Sequence, residues 1–274
     1  METGKIYLVA TPIGNLEDIT LRAMRILKEV DLIAAEDTRQ TLKLLNHLNI
    51  TKPLISYHRH NENVKTDFLI SKLKNGENIA IVTDAGTPAI SDPGEEIVKE
   101  SIKNNIKVIP VPGACALINA LIASGLDTKE FSFYGFLPLN KKLRKEKLVQ
   151  IKLDEKTCIL YEAPHKLVNT FEDLLNVLGD RECTLAKELT KVHETFFRGS
   201  IGSILEEIKL NIPKGEYIIL IKGEKSKKEN DLNKLSLEEH FSYYEKQGFN
   251  KKDIIKKIAK DRNVTKNEIY KHFI

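Results

Sequence analysis

A chain of 274 residues that is 41% hydrophobic and 30% charged has the composition of a globular protein with room for two modest domains and a small appendage. It has no apolar run of about eighteen residues, so no membrane-spanning helix is expected. The first residues, 1–5, lead straight into a strand and do not read as a signal peptide. The three cysteines, Cys115, Cys158 and Cys183, are far apart. They offer neither a disulfide framework nor a metal-ligand spacing, and a reducing cytoplasm is the expected location. The formal net charge is +4, with residues 222–274 holding 14 Lys and Arg against 9 Asp and Glu, and the remainder 29 against 30. The basic excess therefore lies in the tail and suggests a polyanionic partner.

Strand-like and helical patterns alternate from the start. Residues 6–10, 32–35, 54–57, 79–82 and 108–111 read as strands, and 21–30, 38–47, 64–74 and 95–103 as helices. That alternation predicts an α/β fold with a parallel, helix-covered sheet. Pro112-Gly113 opens an apolar helix over 114–124, and Gly125 closes it. Such a helix is expected to pack between elements. Residues 131–136 read as a further strand, followed by the basic cluster Lys141, Lys142, Arg144 and Lys145. A second α/β unit follows: strand 158–161, helix 166–178, strands 184–187 and 195–198, helix 201–209, strand 217–221. Its elements alternate less cleanly, which predicts a mixed sheet. The domains are expected at 1–136 and 137–223. A linker over 224–233 and a basic helical unit over 234–274 complete the chain. Ser236/Glu239 and Thr265/Glu268 are capping-box pairs, and Ile254, Ile255, Ile258 and Ala259 form an apolar stripe. The turn at 261–263 gives the tail a helix-turn-helix character.

Several familiar chemistries lack their motifs. No G-x-G-x-x-G, P-loop or G-x-S-x-G elbow occurs. His58-Arg59-His60 and His193-Glu194 have no further ligands at useful spacing, so no metal is expected. What stands out is the segment 82–94, Val-Thr-Asp-Ala-Gly-Thr-Pro-Ala-Ile-Ser-Asp-Pro-Gly. It follows an apolar strand, and a backbone-exposing loop at the carboxyl end of a parallel strand is where α/β sheets bind ligands. Other predicted strand ends join it: Thr11-Pro12-Ile13-Gly14-Asn15, Glu36-Asp37-Thr38-Arg39 and Pro112-Gly113-Ala114-Cys115. The second unit offers Tyr161-Glu162-Ala163-Pro164-His165 and Lys187-Glu188-Leu189-Thr190-Lys191.

Five of these segments, 8–16, 35–39, 84–88, 161–165 and 188–191, together resemble the ribosomal RNA small subunit methyltransferase I family. This is the RNA-acting branch of the tetrapyrrole methylase fold. The resemblance implies two α/β domains of tetrapyrrole-methylase type with a cofactor cleft between them, plus the small C-terminal helical domain. It implies S-adenosylmethionine as donor, and 2′-O-methylation of a cytidine in the decoding centre of 16S ribosomal RNA. It also implies a homodimer acting on the 30S subunit.

Carried over residue by residue, it assigns Pro12 and Gly14 to a cofactor loop. Asp84, Gly86, Thr87 and Pro88 meet the methionine moiety, with Asp84 paired to the donor's ammonium. Gly113, Ala114 and Cys115 run beside the cofactor, and Tyr161, Glu162, Ala163 and Gly215 contact its adenosine side. Cys115, Gln40 and Lys166 depart from the family's usual serine, histidine and arginine. A ribose hydroxyl is a weak acid, so a base or cation must help its proton leave. Asp37, Glu162, Glu188 and Lys187 are the candidates, with no choice among them. Arg22, Arg25 and Arg39 are expected to rim the cleft, and Lys141, Lys142, Arg144 and Lys145 to track phosphate. A methyltransferase for a tetrapyrrole, or an RNA-binding protein without catalysis, are the competing readings.

Overall fold

The computed structural model of the protein describes residues 2–210, 213–224, 232, 235–262 and 264–273. The chain forms two packed units, 1–223 and 224–274. The first contains two sheets of five strands each. Sheet one holds β1 (Lys5–Val9), β2 (Leu32–Ala35), β3 (Leu54–Ser56), β4 (Ile79–Val82) and β5 (Lys107–Val111). Its order is β3-β2-β4-β1-β5, with every pair parallel. The helices α1 (Leu21–Glu29), α2 (Thr38–His47), α3 (Glu62–Lys74) and α4 (Glu95–Lys103) connect them. β2 and β4 are buried along their whole length, as befits strands covered on both faces. Ile6, Ile79 and Ile81 face one core with Leu69 and Leu73; Val9, Ala80 and Val82 face the other with Ile26 and Leu27. The parallel arrangement brings all the carboxyl ends to one edge.

The apolar helix α5 (Ala116–Ser124) joins the sheets. Its Leu117, Ala120 and Leu121 pack on Ile159, Ala186, Ile218 and Leu220 of the second sheet. That sheet comprises β6 (Phe131–Phe136), β7 (Thr157–Glu162), β8 (Glu182–Lys187), β9 (Thr195–Ser200) and β10 (Tyr217–Ile221). Its order is β6-β7-β10-β8-β9; only β6 and β7 run parallel, so the sheet is mixed as predicted. The helices α6 (Lys141–Leu153), α7 (Leu167–Leu178) and α8 (Ile201–Leu210) cover its other face. Phe171 is fully buried there, with Leu174 and Ile151; such a side chain contributes about 1.5–3 kcal/mol. One boundary shifts. Residues 131–136 were expected in the first domain, but they pair with β7, so the second sheet begins at Phe131. The basic cluster at 141–145 forms the first turns of α6, capped by Asn140.

In the second unit, α9 (Leu237–Glu245), α10 (Lys251–Asp261) and α11 (Lys266–His272) surround Tyr244, Ile254, Ile255, Ile258, Ala259 and Ile269. Both predicted capping boxes are present. Most of the linker expected at 224–233, and Asn263 of the predicted turn, lie outside the described residues. His240 is fully buried. Its Nε2 lies 3.2 Å from Asp261, and its Nδ1 accepts from Arg262 Nε at 3.3 Å. Burial, followed by the Arg262 charge, lowers its proton affinity despite Asp261. The unfolded chain takes up that proton at the ordinary histidine pKa of about 6.5, so it binds more protons than the folded unit below that pH. Stability therefore falls as the solution is acidified through this range. Amide exchange in α10, corrected for intrinsic rates, is expected to accelerate between about pH 7 and 5. His240→Gln should flatten that dependence, and an unchanged slope in the variant would rule His240 out as its source.

Candidate active site

The central strands β1 and β4 are neighbours, and the loops that leave them are joined. Thr11 donates to the Gly86 carbonyl at 2.9 Å, and Gly86 donates back to Thr11 at 3.0 Å. Thr11 Oγ1 adds a bond to Thr83. Gly86 has φ +86°, and a Cβ there would sit 3.2 Å from the Ile13 side chain, so glycine suits both the backbone and the space. The joined loops form one wall of a cavity of about 330 Å³ between the sheets. Ile13, Gly86, Thr87, Ile90 and Cys115 line it from the first sheet's side, and Tyr161, Leu189, Gly215 and Ile218 from the second's. The lining is largely apolar, and Tyr161 packs edge-on against Phe133 and Phe136, with ring centroids 4.9 and 5.7 Å away. Asp92, Glu162 and Glu216 add carboxylates.

Asp92 reaches the cavity from an unusual loop. Ala89 and Ser91 both have φ +66°, a left-handed conformation that costs energy for residues with a Cβ. Three contacts hold it. Arg59 Nη2 donates to the Ser91 carbonyl, Gly94 donates to Glu62 at 3.1 Å, and Ala89 donates to Pro93 at 3.2 Å. Burial, reinforced by the charge of Glu36, raises the Asp92 carboxyl to about 6.

A second cavity of about 230 Å³ opens beside the same loop. Thr11, Pro12, Leu16, Gln40, Lys43, Leu44 and Asp84 line it. The Lys43 ammonium donates to Gln40 at 3.2 Å. At its edge, Asp37 caps α2. Its carboxylate accepts from Arg39 N at 2.8 Å, Nε at 3.0 Å and Nη2 at 2.6 Å. Those bonds hold the Asp37 carboxyl down at about 2. They also fix the direction of a guanidinium that is 86% exposed. The Asp37 N–H donates to Asp84 Oδ1 at 3.0 Å. Burial raises both Asp84 and Glu36, and the charge of Asp84 adds to the rise at Glu36.

Residues 5–205 match the family model described as tetrapyrrole (corrin/porphyrin) methylases. The ribosomal RNA small subunit methyltransferase I of Halalkalibacterium halodurans is 49% identical over 272 residues, covering 98% of this chain and 94% of that protein. The protein of the same name from Bacillus subtilis is 46% identical, covering 98% and 94%. The chain belongs to the ribosomal RNA small subunit methyltransferase I family. Among solved structures, uroporphyrin-III C-methyltransferase from Thermus thermophilus, complexed with S-adenosyl homocysteine, shares the fold. Its TM-score is 0.56 at 21% identity, covering 79% of this chain and 97% of that one.

The positions suggested by the resemblance to the methyltransferase I family separate into distinct groups. Gly86, Thr87, Cys115, Tyr161, Glu162, Ala163 and Gly215 line the large cavity. Pro12 and Asp84 line the small one instead. Gly14, Pro88, Gly113 and Ala114 line neither. Gly14 is pressed on Leu189, Thr190 and Lys191, and Gly113 on Ala10; the Ala114 carbonyl accepts from Thr87 at 3.0 Å. These residues shape the walls.

Among the candidate bases, Lys187 and Glu188 also lie off both cavities. Glu188, at φ +52°, binds Lys191 at 3.0 Å and the Glu216 N–H at 2.8 Å, stapling two turns together. Glu162 does line the large cavity. Its oxygens accept from Ala163 N at 2.8 Å and Thr170 at 2.6 Å. Arg144 is withdrawn from the expected phosphate contacts because it is tied to Asp173 at 2.7 Å and Thr170 at 2.8 Å. Arg25 pairs with Glu29 one helical turn away. Arg22, Lys141, Lys142 and Lys145 are exposed.

Sequence reasoning missed Asp92, Ile90, Lys43 and Glu216 at the cavities, although Asp92 and Ile90 stand in the loop singled out as most informative. Gly215 has a particular constraint: at φ +93° a Cβ would fall 2.5 Å from Glu188 Cδ, breaking the staple. Gly179 has a similar φ of +79° and nothing within 4 Å. Gly215→Ala is therefore expected to cost more than about 1 kcal/mol of unfolding free energy. It should also cost more than Gly179→Ala in denaturant titrations; equal losses would show that the staple carries no stability.

Proposed function

We propose that the chain transfers a methyl group from S-adenosylmethionine to the ribose 2′-hydroxyl of a cytidine in the decoding centre of 16S ribosomal RNA. The observation that carries this reading is the pair of cavities on the two sides of the 84–87 loop, in a chain nearly half identical to proteins named for that RNA subunit. The large cavity suits the donor. Tyr161, Ile13, Ile90 and Ile218 offer apolar faces for an adenine ring, and Asp92 and Glu162 supply negative charge toward an ammonium and a sulfonium, while Glu216 is paired with Lys191 at 2.8 Å. When bound, the donor supplies an electrophilic methyl group. The chain's own task is to hold the acceptor oxygen in line with it and to exclude water. Positioning of that kind lowers a barrier by about 7–11 kcal/mol.

The small cavity suits the acceptor. It is more polar, carries the Lys43 ammonium, and lies beside the fixed Arg39 guanidinium. Cations at such a mouth match a phosphodiester backbone. Arg22, Arg39, Lys141, Lys142 and Lys145, with the exposed Lys252, Lys256, Lys260 and Lys266 of the helical unit, provide sequence-independent affinity for RNA. The protein acts in the cytoplasm as a homodimer on the 30S subunit.

The test is incubation of unmethylated 30S subunits with the protein and labelled S-adenosylmethionine, followed by mass mapping of the 16S RNA. The expected product is one methyl on one decoding-centre cytidine, with the adjacent linkage resistant to alkali. A methyl on a base, or labelling of a porphyrinoid instead of RNA, would contradict the reading.

A further inference from the structure

We propose that Asp84 is the group that takes the proton from the ribose hydroxyl during methyl transfer, a role that rests on the chain being a ribose methyltransferase. The family resemblance assigned this carboxylate to the donor's ammonium. Its location argues for the proton. Asp84 lines the small cavity, while Ala85 and Gly86, which follow it directly, line the large one. Asp84 thus belongs to the space that suits the acceptor, and the chain passes directly from it to the wall of the space that suits the donor. The hydroxyl must meet the methyl group where the two spaces adjoin.

The state of the carboxylate fits as well. The Asp37 N–H fixes Oδ1, and among the described residues no other hydrogen bond or ion pair engages the group, which leaves Oδ2 open to accept. The other candidate bases lack one of these properties. Asp37 is clamped by Arg39, Glu162 accepts a hydrogen bond at each oxygen, and Glu188 and Lys187 lie off both cavities. The charged groups facing Asp84 are Asp37 and Arg39 at the head of α2, Glu36 at the end of β2, and Asp92 farther along its own loop. Burial is the largest influence and raises its proton affinity, which a base working near neutral pH requires.

In the step, the ribose O–H bond breaks and its proton passes to Asp84 Oδ2. The oxygen's electron pair forms the bond to the methyl carbon. The pair of the broken S–C bond stays on the donor's sulfur, which becomes a neutral thioether. Asp84, now a carboxylic acid, returns its proton to water before the next turnover.

Asp84→Asn keeps the shape and the acceptor for the Asp37 N–H but removes the base. The experiment measures single-turnover methylation of 30S subunits at saturating donor across pH, with donor affinity determined separately by calorimetry on the protein alone. The dissociation constant for S-adenosylmethionine is expected to stay within about threefold of the parent, while the rate falls by about 10²-fold or more. The parent's activity should rise with pH through a carboxylate limb above the ordinary range, because the anion is the active form; the limb should vanish in Asp84→Asn. Loss of donor affinity with a normal saturated rate and an intact limb would make Asp84 the ammonium partner and overturn the proposal. Normal affinity with a normal rate would remove Asp84 from the chemistry. An inactive parent that still binds the donor would bring down the ribose-methyltransferase reading itself, an outcome visible before any variant is made.

Discussion

Everything at the site depends on the pair of backbone hydrogen bonds between Thr11 and Gly86. They tie the loop after β1 to the loop after β4, the strands at the centre of the first sheet. β1 and β4 pair parallel, whereas the bridge beyond their ends is antiparallel, so the two segments change relative direction between the strands and the bridge. It fixes the path of residues 84–87, and that path decides where one cavity stops and the next begins. Backbone bonds are well suited to this wall. They hold position without placing a side chain in the space a ligand needs, and at Gly86 the neighbouring Ile13 leaves little room for one. The second sheet supplies the facing wall through the ends of β7 and β10, held at the right distance by the apolar face of α5.

Charge is arranged around this scaffold in two different ways. Asp37 and Arg39 satisfy one another, so their local field is small while the direction of the arginine is fixed. Burial is the main cost of ionising Glu36, Asp84 and Asp92, and like charge adds to it, from Asp84 at Glu36, from Glu36 and Asp84 at Asp92, and from Asp37 at Asp84. Arg59 moderates that repulsion at Glu36 and Asp92 while its guanidinium holds the strained Ser91 backbone. A neutral chain of hydrogen bonds would give a more stable edge to the sheet. A cluster of carboxylates with raised proton affinity is better matched to a cationic donor and to proton transfer.

The first sheet was legible because its strands are short, wholly apolar runs separated by helical patterns, and because glycine and proline mark their ends. The motifs at those ends led to the right edge of the sheet. The second sheet was harder. β6 runs into Leu137-Pro138-Leu139-Asn140 and a basic cluster, so it reads as a terminating strand of the first domain, although it pairs with β7. The lysines that open α6 disguise a helix whose buried stripe is only Leu148 and Ile151. Side-chain commitments were not legible at all. Nothing in the sequence says that Arg144 is spent on Asp173, that Glu188 staples two turns, or that Gly14 and Gly113 serve close backbone packing. Asp92 went unnoticed because its access to the cavity depends on left-handed angles at Ala89 and Ser91, residues with no intrinsic preference for them.

The central claim is a division of labour: donor in the large cavity, acceptor in the small one, with Asp84 between. A crystal structure with S-adenosylhomocysteine and a short cytidine-containing oligonucleotide tests it most directly. The account predicts the adenosine and homocysteine against Gly86, Thr87, Tyr161 and Gly215, and a ribose at Thr11, Lys43 and Asp84 with its 2′-hydroxyl facing the thioether sulfur. Homocysteine seated at Lys43, or a ribose in the cavity beside Tyr161, would contradict it.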